Sequence, residues 1–184
     1  MSSVNLPPLP PVGGEATGRN VIDVLSAQHR DLLALCDRLD TDPRATDVLV
    51  AELSRHLSAE EQYLYPALRQ AVPGGDELAA RELAEDHQLL LLLRDPGEDL
   101  IAAVRRHVAA DAEELFPVLA EMVPIDDLIR LGNRVETAEE AAPTRPHPGT
   151  PSTPPWNKIV DPAVAVVDKL RDVVTRRTTY FSDL

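Results

Sequence analysis

Two stretches of this chain repeat one pattern, and the repeat limits the folds open to it. HLSAEEQYLYPAL starts at His56 and HVAADAEELFPVL at His107. Each has a carboxylate four residues after its histidine, Glu60 or Asp111. Each then has Leu, an aromatic residue and Pro eight, nine and ten residues on: Leu64-Tyr65-Pro66 and Leu115-Phe116-Pro117. His29 and His87 stand 27 and 20 residues ahead of the two copies. Helix positions i and i+4 share a face about 5–6 Å apart, so each copy presents imidazole and carboxylate to one point. The chain reads as two helical hairpins of one pattern.

The residues around the repeat have helical spacing throughout. Asn20 can cap a first helix, with Asp23 three residues on and an apolar stripe of Val21, Val24, Leu25, Leu32, Leu35 and Leu39. TDPRAT (41–46) interrupts it, and Asp42-Pro43 suits the start of a second helix to about Gln70, with a kink expected at Pro66. VPGG (72–75) is a turn, after which Asp76 is the expected cap of a third helix to about Arg94. DPG (95–97) turns again into a fourth helix from Glu98 to about Met122, kinked at Pro117, and Pro124 opens a shorter fifth to about Ala142. Helices of about 20–25 residues joined by short turns are antiparallel neighbours, which predicts an all-α, up-down-up-down four-helix bundle.

The bundle is expected over residues 19–142. Residues 1–18 are rich in Pro and Gly and read as a disordered arm. Six prolines between 143 and 155 mark a linker or strap over 143–160. Asp161-Pro162 then suits a C-terminal amphipathic helix over 161–184, with Val164, Val167, Leu170 and Val174 on one side. That helix has three roles open to it: docking on the bundle, dimerisation, or binding a protein partner through 161–180.

Charge and composition exclude several classes. The net charge is −13, so nucleic acid is not an expected partner. Residues 19–142 hold 12 Arg, no Lys and 26 Asp or Glu, net −14, whereas 143–184 are net +2. One cysteine, Cys36, supports neither an internal disulfide nor a cysteine-rich zinc site, and reads as a small core residue. No apolar run approaches the ~20 residues of a membrane span. The first residues lack the cationic start and apolar core of a signal peptide, so a cytoplasmic location is expected.

Four histidines in one register with two matched carboxylates point to metal. Six buried polar groups without partners would be costly, and mixed N/O ligands of this number suit two first-row transition ions, the carboxylates able to bridge. Calcium and magnesium prefer oxygen donors. No Glu stands three residues before any histidine, so a ferritin-type Glu-x-x-His site is not expected. Glu61, Glu113 and Glu114 read as solvated surface charges, Tyr65 and Phe116 as core, and His147 as part of the strap.

His29, His56-x3-Glu60, His87 and His107-x3-Asp111 resemble the hemerythrin-like, or HHE cation-binding, domain. The resemblance covers about residues 20–148, including the strap APTRPHP. It implies a four-helix bundle with a non-heme di-iron centre, Glu60 and Asp111 as bridges, and His29, His56, His87 and His107 as terminal ligands. The oxygen-carrying members of that family have two histidines one turn apart on the third helix. Here the residues one turn either side of His87 are Leu83 and Leu91. Six protein ligands where the carriers have seven imply a solvent or exogenous ligand, with Glu114 and Tyr63 as alternative substitutes.

These residues predict a protein that binds two iron ions and a small ligand: O2, peroxide or nitric oxide. Manganese or zinc is also compatible with the ligand types. Leu32, Leu33, Leu90 and Leu91 are the expected apolar surround. Two alternatives stay open, a peroxide- or nitric-oxide-consuming enzyme on the same site and an iron- or redox-responsive regulatory module acting through the tail helix.

Overall fold

The computed structural model describes residues 16–147, and in the tail 165, 167–169, 171, 172, 175 and 177–184. Residues 1–15 of the expected arm, most of the strap, and Val164, Leu170 and Val174 of the expected tail stripe lie outside the described residues.

The described residues are all-helical, and each arm starts where local chemistry permits. Helix α1 (Val21–Cys36) is capped by Asn20, whose side chain accepts from the Asp23 N–H at 3.0 Å. Helix α2 (Pro43–Ala59) is capped by Asp42, which accepts from the Arg44 N–H at 2.9 Å, with Pro43 in the first turn where no N–H is needed. A π-helical turn (Glu60–Leu64) joins α2 to α3 (Tyr65–Ala71). The third arm, α4 (Gly75–Leu92), begins after Gly74 at φ 75°, so Asp76 lies inside the first turn rather than at the cap. Gly74 accepts that left-handed backbone without the penalty a Cβ would bring.

The fourth arm repeats the second: α5 (Glu98–Ala110), a π-helical turn (Asp111–Leu115), then α6 (Phe116–Met122). Proline explains both turns. Pro66 and Pro117 lack an N–H, and in a regular α-helix their rings would press on the carbonyl four residues back. The chain widens instead: Tyr65 N–H bonds Glu60 C=O and Phe116 N–H bonds Asp111 C=O, each five residues apart. The expected kinks are therefore π turns, and each begins on the carboxylate of the repeated motif.

Helix α7 (Ile125–Ala141) packs against α1, α2 and the first π turn as a fifth element of the body. Its Gly132 lets the chain entering α1 come close: a Cβ there would stand 2.4 Å from the Arg19 carbonyl oxygen.

The core divides into two apolar clusters. One holds Val21, Val24, Leu25, Leu64, Leu68 and Leu119; the other holds Leu32, Leu35, Leu49, Leu53, Leu89 and Leu100. Each of α1, α2, α4 and α5, taken with its π turn where it has one, passes from one cluster to the other, and between them lies a layer of polar residues. Cys36 sits in the second cluster, where burial pushes its thiol up to about 11.

The tail meets the bundle through polar contacts and through Phe181 and Leu184, which pack against the second apolar cluster. Asp172 is buried and accepts from Thr144 and, at 2.6 Å, from Arg145, while Asp168 lies 3.0 Å from His147. Arg177 bonds Asp47, Arg55 bonds the Thr179 carbonyl, and the Tyr180 ring lies over the Arg55 guanidinium at 4.5 Å. Val167, expected on an inward apolar stripe, is instead exposed, whereas Ala165, Asp168 and Asp172 face inward.

Candidate metal centre

The polar layer gathers one face of four arms. His29 comes from α1, His56 and Glu60 from the second arm, and His107 and Asp111 from the fourth. All five are buried, and each offers a ligand atom within 4.8 Å of the others. His56 Nε2 lies 3.2 Å from His29 Nε2 and 3.1 Å from His107 Nε2. Asp111 Oδ2 stands 3.5 Å from His29 Nε2 and 3.8 Å from His107 Nε2. Glu60 spans the other side, with Oε1 3.4 Å from His56 Nε2 and Oε2 3.6 Å from His107 Nε2.

His87 is not in this group. It is exposed on α4, whose buried positions include Ala79, Glu82, Asp86 and Leu89. Residues three and four apart share a helix face, and His87 falls one residue, about 100° around the helix, from Asp86 in that stripe. Asp86 is fully buried, with Oδ1 3.7 Å from His107 Nδ1 and Oδ2 accepting from the Tyr65 hydroxyl at 2.6 Å. Tyr65 Oη is also 3.3 Å from Glu60 Oε2. The sequence reading missed both Asp86 and Tyr65 as members of the layer. The one available signal for Asp86 was its i+4 relation to a second acid, Glu82.

The other expected positions divide similarly. Phe116 does pack here, its ring stacked on His29 with centroids 5.6 Å apart and planes 15° apart. Tyr63 is buried in the first apolar cluster, and Glu114 is exposed and paired with Arg81 at 2.7 Å. Leu32 is buried, but Leu91 is 40% exposed, and the core positions at this end of α4 are taken by Leu89 and by Leu93, the residue that ends the helix.

Second-layer contacts orient the imidazoles. Gln28 accepts from His56 Nδ1 at 2.8 Å and donates to Glu139 at 2.7 Å, which turns His56 Nε2 toward the cluster. Burial pushes the histidines toward their neutral form: His29 is held down to about 3, the His107 imidazole adding to the effect, and His107 to about 4. His56 is held well below its ordinary value by burial and then by the other two rings. The carboxyls move the opposite way. Burial first, then the charges of Asp111 and Asp86, raise Glu60; burial and then Glu82 raise Asp111; burial also raises Asp86, against the opposing hydrogen bond from Tyr65.

A metal cation suits this chemistry. A neutral imidazole is a ligand through its unprotonated nitrogen, and the bond from His56 Nδ1 to Gln28 leaves that nitrogen, Nε2, facing the cluster. Asp86 Oδ1, His107 Nδ1 and both Asp111 oxygens are buried without a hydrogen-bond partner. Each unsatisfied buried group costs about 1–3 kcal/mol, against a total stability of about 5–15 kcal/mol for a domain. A bound cation relieves both the orphaned acceptors and the crowded negative charge.

Residues 20–119 match the hemerythrin HHE cation-binding domain. Over 177 residues, 85% of this chain and 87% of its relative, the sequence is 24% identical to a hemerythrin-like protein of Schizosaccharomyces pombe. No solved structure matches the chain. No helix among the described residues is long and apolar enough to cross a membrane.

Proposed function

The chain belongs to the hemerythrin HHE cation-binding family, and we propose that its buried cluster holds two iron ions that bind O2 or a related small ligand, peroxide or nitric oxide. The observation that carries this reading is the convergence of three imidazole Nε2 atoms and two carboxylates in a polar layer between two apolar clusters. Iron would supply reversible electron exchange with a small diatomic or peroxidic ligand.

The chain's own residues do the rest. His29, His56 and His107 present neutral nitrogen donors, and Glu60 and Asp111 stand where each faces two imidazoles. Five side chains do not fill the coordination of two first-row ions, which leaves positions for an exogenous ligand. In place of His87, α4 contributes Asp86 as a positioning residue, facing the outer nitrogen of His107. The apolar clusters on both sides exclude water and slow loss of metal. The acidic composition and single buried cysteine support a cytoplasmic setting.

One observation favours turnover as a second reading. The Tyr65 hydroxyl, buried between Glu60 and Asp86, keeps its proton well above the ordinary phenol range because of burial and the carboxylates beside it, and so is a hydrogen-bond donor within the layer, beyond what holding a metal requires.

Metal analysis of aerobically purified protein, with its absorption spectrum, tests the first reading. About two irons per chain and near-ultraviolet charge-transfer bands that vanish in His107→Ala are expected. Manganese or zinc in place of iron would correct the metal, and a folded protein that takes up none after anaerobic loading would overturn the centre. Hydrogen peroxide consumption per bound iron, reduced in Tyr65→Phe when both proteins are loaded to the same metal content, tests the second.

A further inference from the structure

On the outer side of His107 the wall between α4 and the fourth arm opens into a cavity of about 420 Å3. Its lining includes His107 itself, four acids, Glu82 and Glu85 on α4 and Glu113 and Glu114 on the second π turn, and two arginines, Arg81 on α4 and Arg106 on α5. Arg81 bridges the two walls, donating to Glu82 at 2.8 Å and to Glu114 at 2.7 Å. From these observations we infer that this cavity is the route by which divalent cations reach the buried centre, with Arg81 as its gate. The inference rests on the cation-binding reading of the cluster.

Three features combine. The first is continuity: His107 is only 4% exposed, lines the cavity, and has a buried Nδ1 without a hydrogen-bond partner. A cation in the cavity therefore meets a ligand of the cluster as part of the wall. The second is graded burial: Glu85 and Glu113 are exposed, Glu82 is only 3% exposed, and Asp86, one turn along α4, is fully buried beside His107. Carboxylates thus continue from solvent to the cluster, and the charge of Glu82 is felt at both Asp111 and Asp86. The third is the closure. The Arg81–Glu114 pair is half exposed on both sides, 51% and 56%, and such solvent-exposed pairs hold weakly. A divalent cation competes directly with the guanidinium for Glu82 and Glu114.

Four carboxylates against two guanidiniums leave the lining net negative, and a cleft with an excess of one sign focuses the field and speeds capture of the opposite charge, an effect that falls with ionic strength. The test is the rate of Co2+ uptake by metal-free protein, followed by cobalt absorption in a stopped-flow instrument, with final metal content measured separately. Glu85→Gln with Glu113→Gln should slow uptake about three- to tenfold at low salt, with the difference shrinking in about 0.5 M salt. Arg81→Ala should speed it. Glu136→Gln with Glu140→Gln makes the same charge change beside a different crevice, lined by Gln28, Glu139 and Tyr180, and should leave the rate near that of the unaltered protein. All variants should reach the same final content. Equal rates in the Glu85/Glu113 variant and the unaltered protein would overturn the route while leaving the centre intact, as would equal slowing in the control pair. No Co2+ uptake by the unaltered protein would overturn the centre and the route with it.

Discussion

Tyr65 donates a 2.6 Å hydrogen bond to Asp86, joining the first residue of α3, just past the first π turn, to α4 beside the candidate centre. On a regular α-helix Tyr65 would lie about 140° around from Glu60. The π turn brings it one wide turn beyond Glu60, so that the phenol reaches Glu60 and Asp86 together. Helix α4 is thereby held in the phase that turns Asp86 inward and His87 out.

That phase separates two substitutions at neighbouring positions. Asp86→Asn should weaken metal binding about 10- to 100-fold, the cost of losing an outer partner of a ligating histidine. His87→Ala should leave affinity and metal content unchanged. Competition with a chelator measures both, and a His87→Ala protein without metal would restore His87 as a ligand.

Gln28 makes a parallel case on the other side. Gln28→Leu removes the acceptor of His56 Nδ1 and the donor to Glu139. Metal affinity should again fall about 10- to 100-fold while the helical content by circular dichroism stays the same.

Loading metal at pH 7 should release protons, and from carboxyls rather than imidazoles. His29 and His107, at about 3 and 4, are already neutral there. Asp111, raised to about 7 by burial, holds its proton in about half of the molecules at that pH, and a cation displaces it; Glu60 and Asp86 are raised in the same direction. Titration in weakly buffered solution with a pH indicator measures the release, which Asp111→Asn should reduce.

Stability of the metal-free protein should carry opposite signs from the two residue types. Asp111 binds its proton more tightly folded than unfolded, so its burial penalty is present at high pH and fades as pH falls through the folded value toward the ordinary carboxyl range. Asp111→Asn should therefore stabilise metal-free protein by about 1–3 kcal/mol at pH 8, with little gain near pH 4. His29 binds its proton less tightly folded than unfolded. Its contribution is constant above about 6.5 and is lost as pH falls from there toward about 3. Denaturant melts across this range check both signs.

Gly132→Ala should destabilise the fold by about 1–3 kcal/mol, the usual cost of forcing extra volume into a packed contact. The added methyl group would stand 2.4 Å from the Arg19 carbonyl oxygen, and backbone has little room to yield. Thermal melts of the two proteins give the difference directly.

The amino-acid sequence by itself determined the helical arms, their caps at Asn20 and Asp42, and the pairing of His56 with Glu60 and His107 with Asp111. These are local matters: a cap, a proline or an i,i+4 pair acts within a turn or two, so spacing reveals it. The phase of α4 was not local. Leu89 to Leu93 offers an apolar side chain in every direction, so no stripe distinguishes Asp86 from His87, and packing against the other arms chose Asp86. Tyr65 was hidden for a related reason. Pro66 announced a break in the helix, but whether the chain would kink or widen depended on what the new direction could pack against and bond. The tail followed the same rule: Asp168 and Asp172 turned inward over Val167 because His147, Thr144, Arg145 and Arg177 met them there. Only the assembled structure brings those partners together from distant parts of the chain.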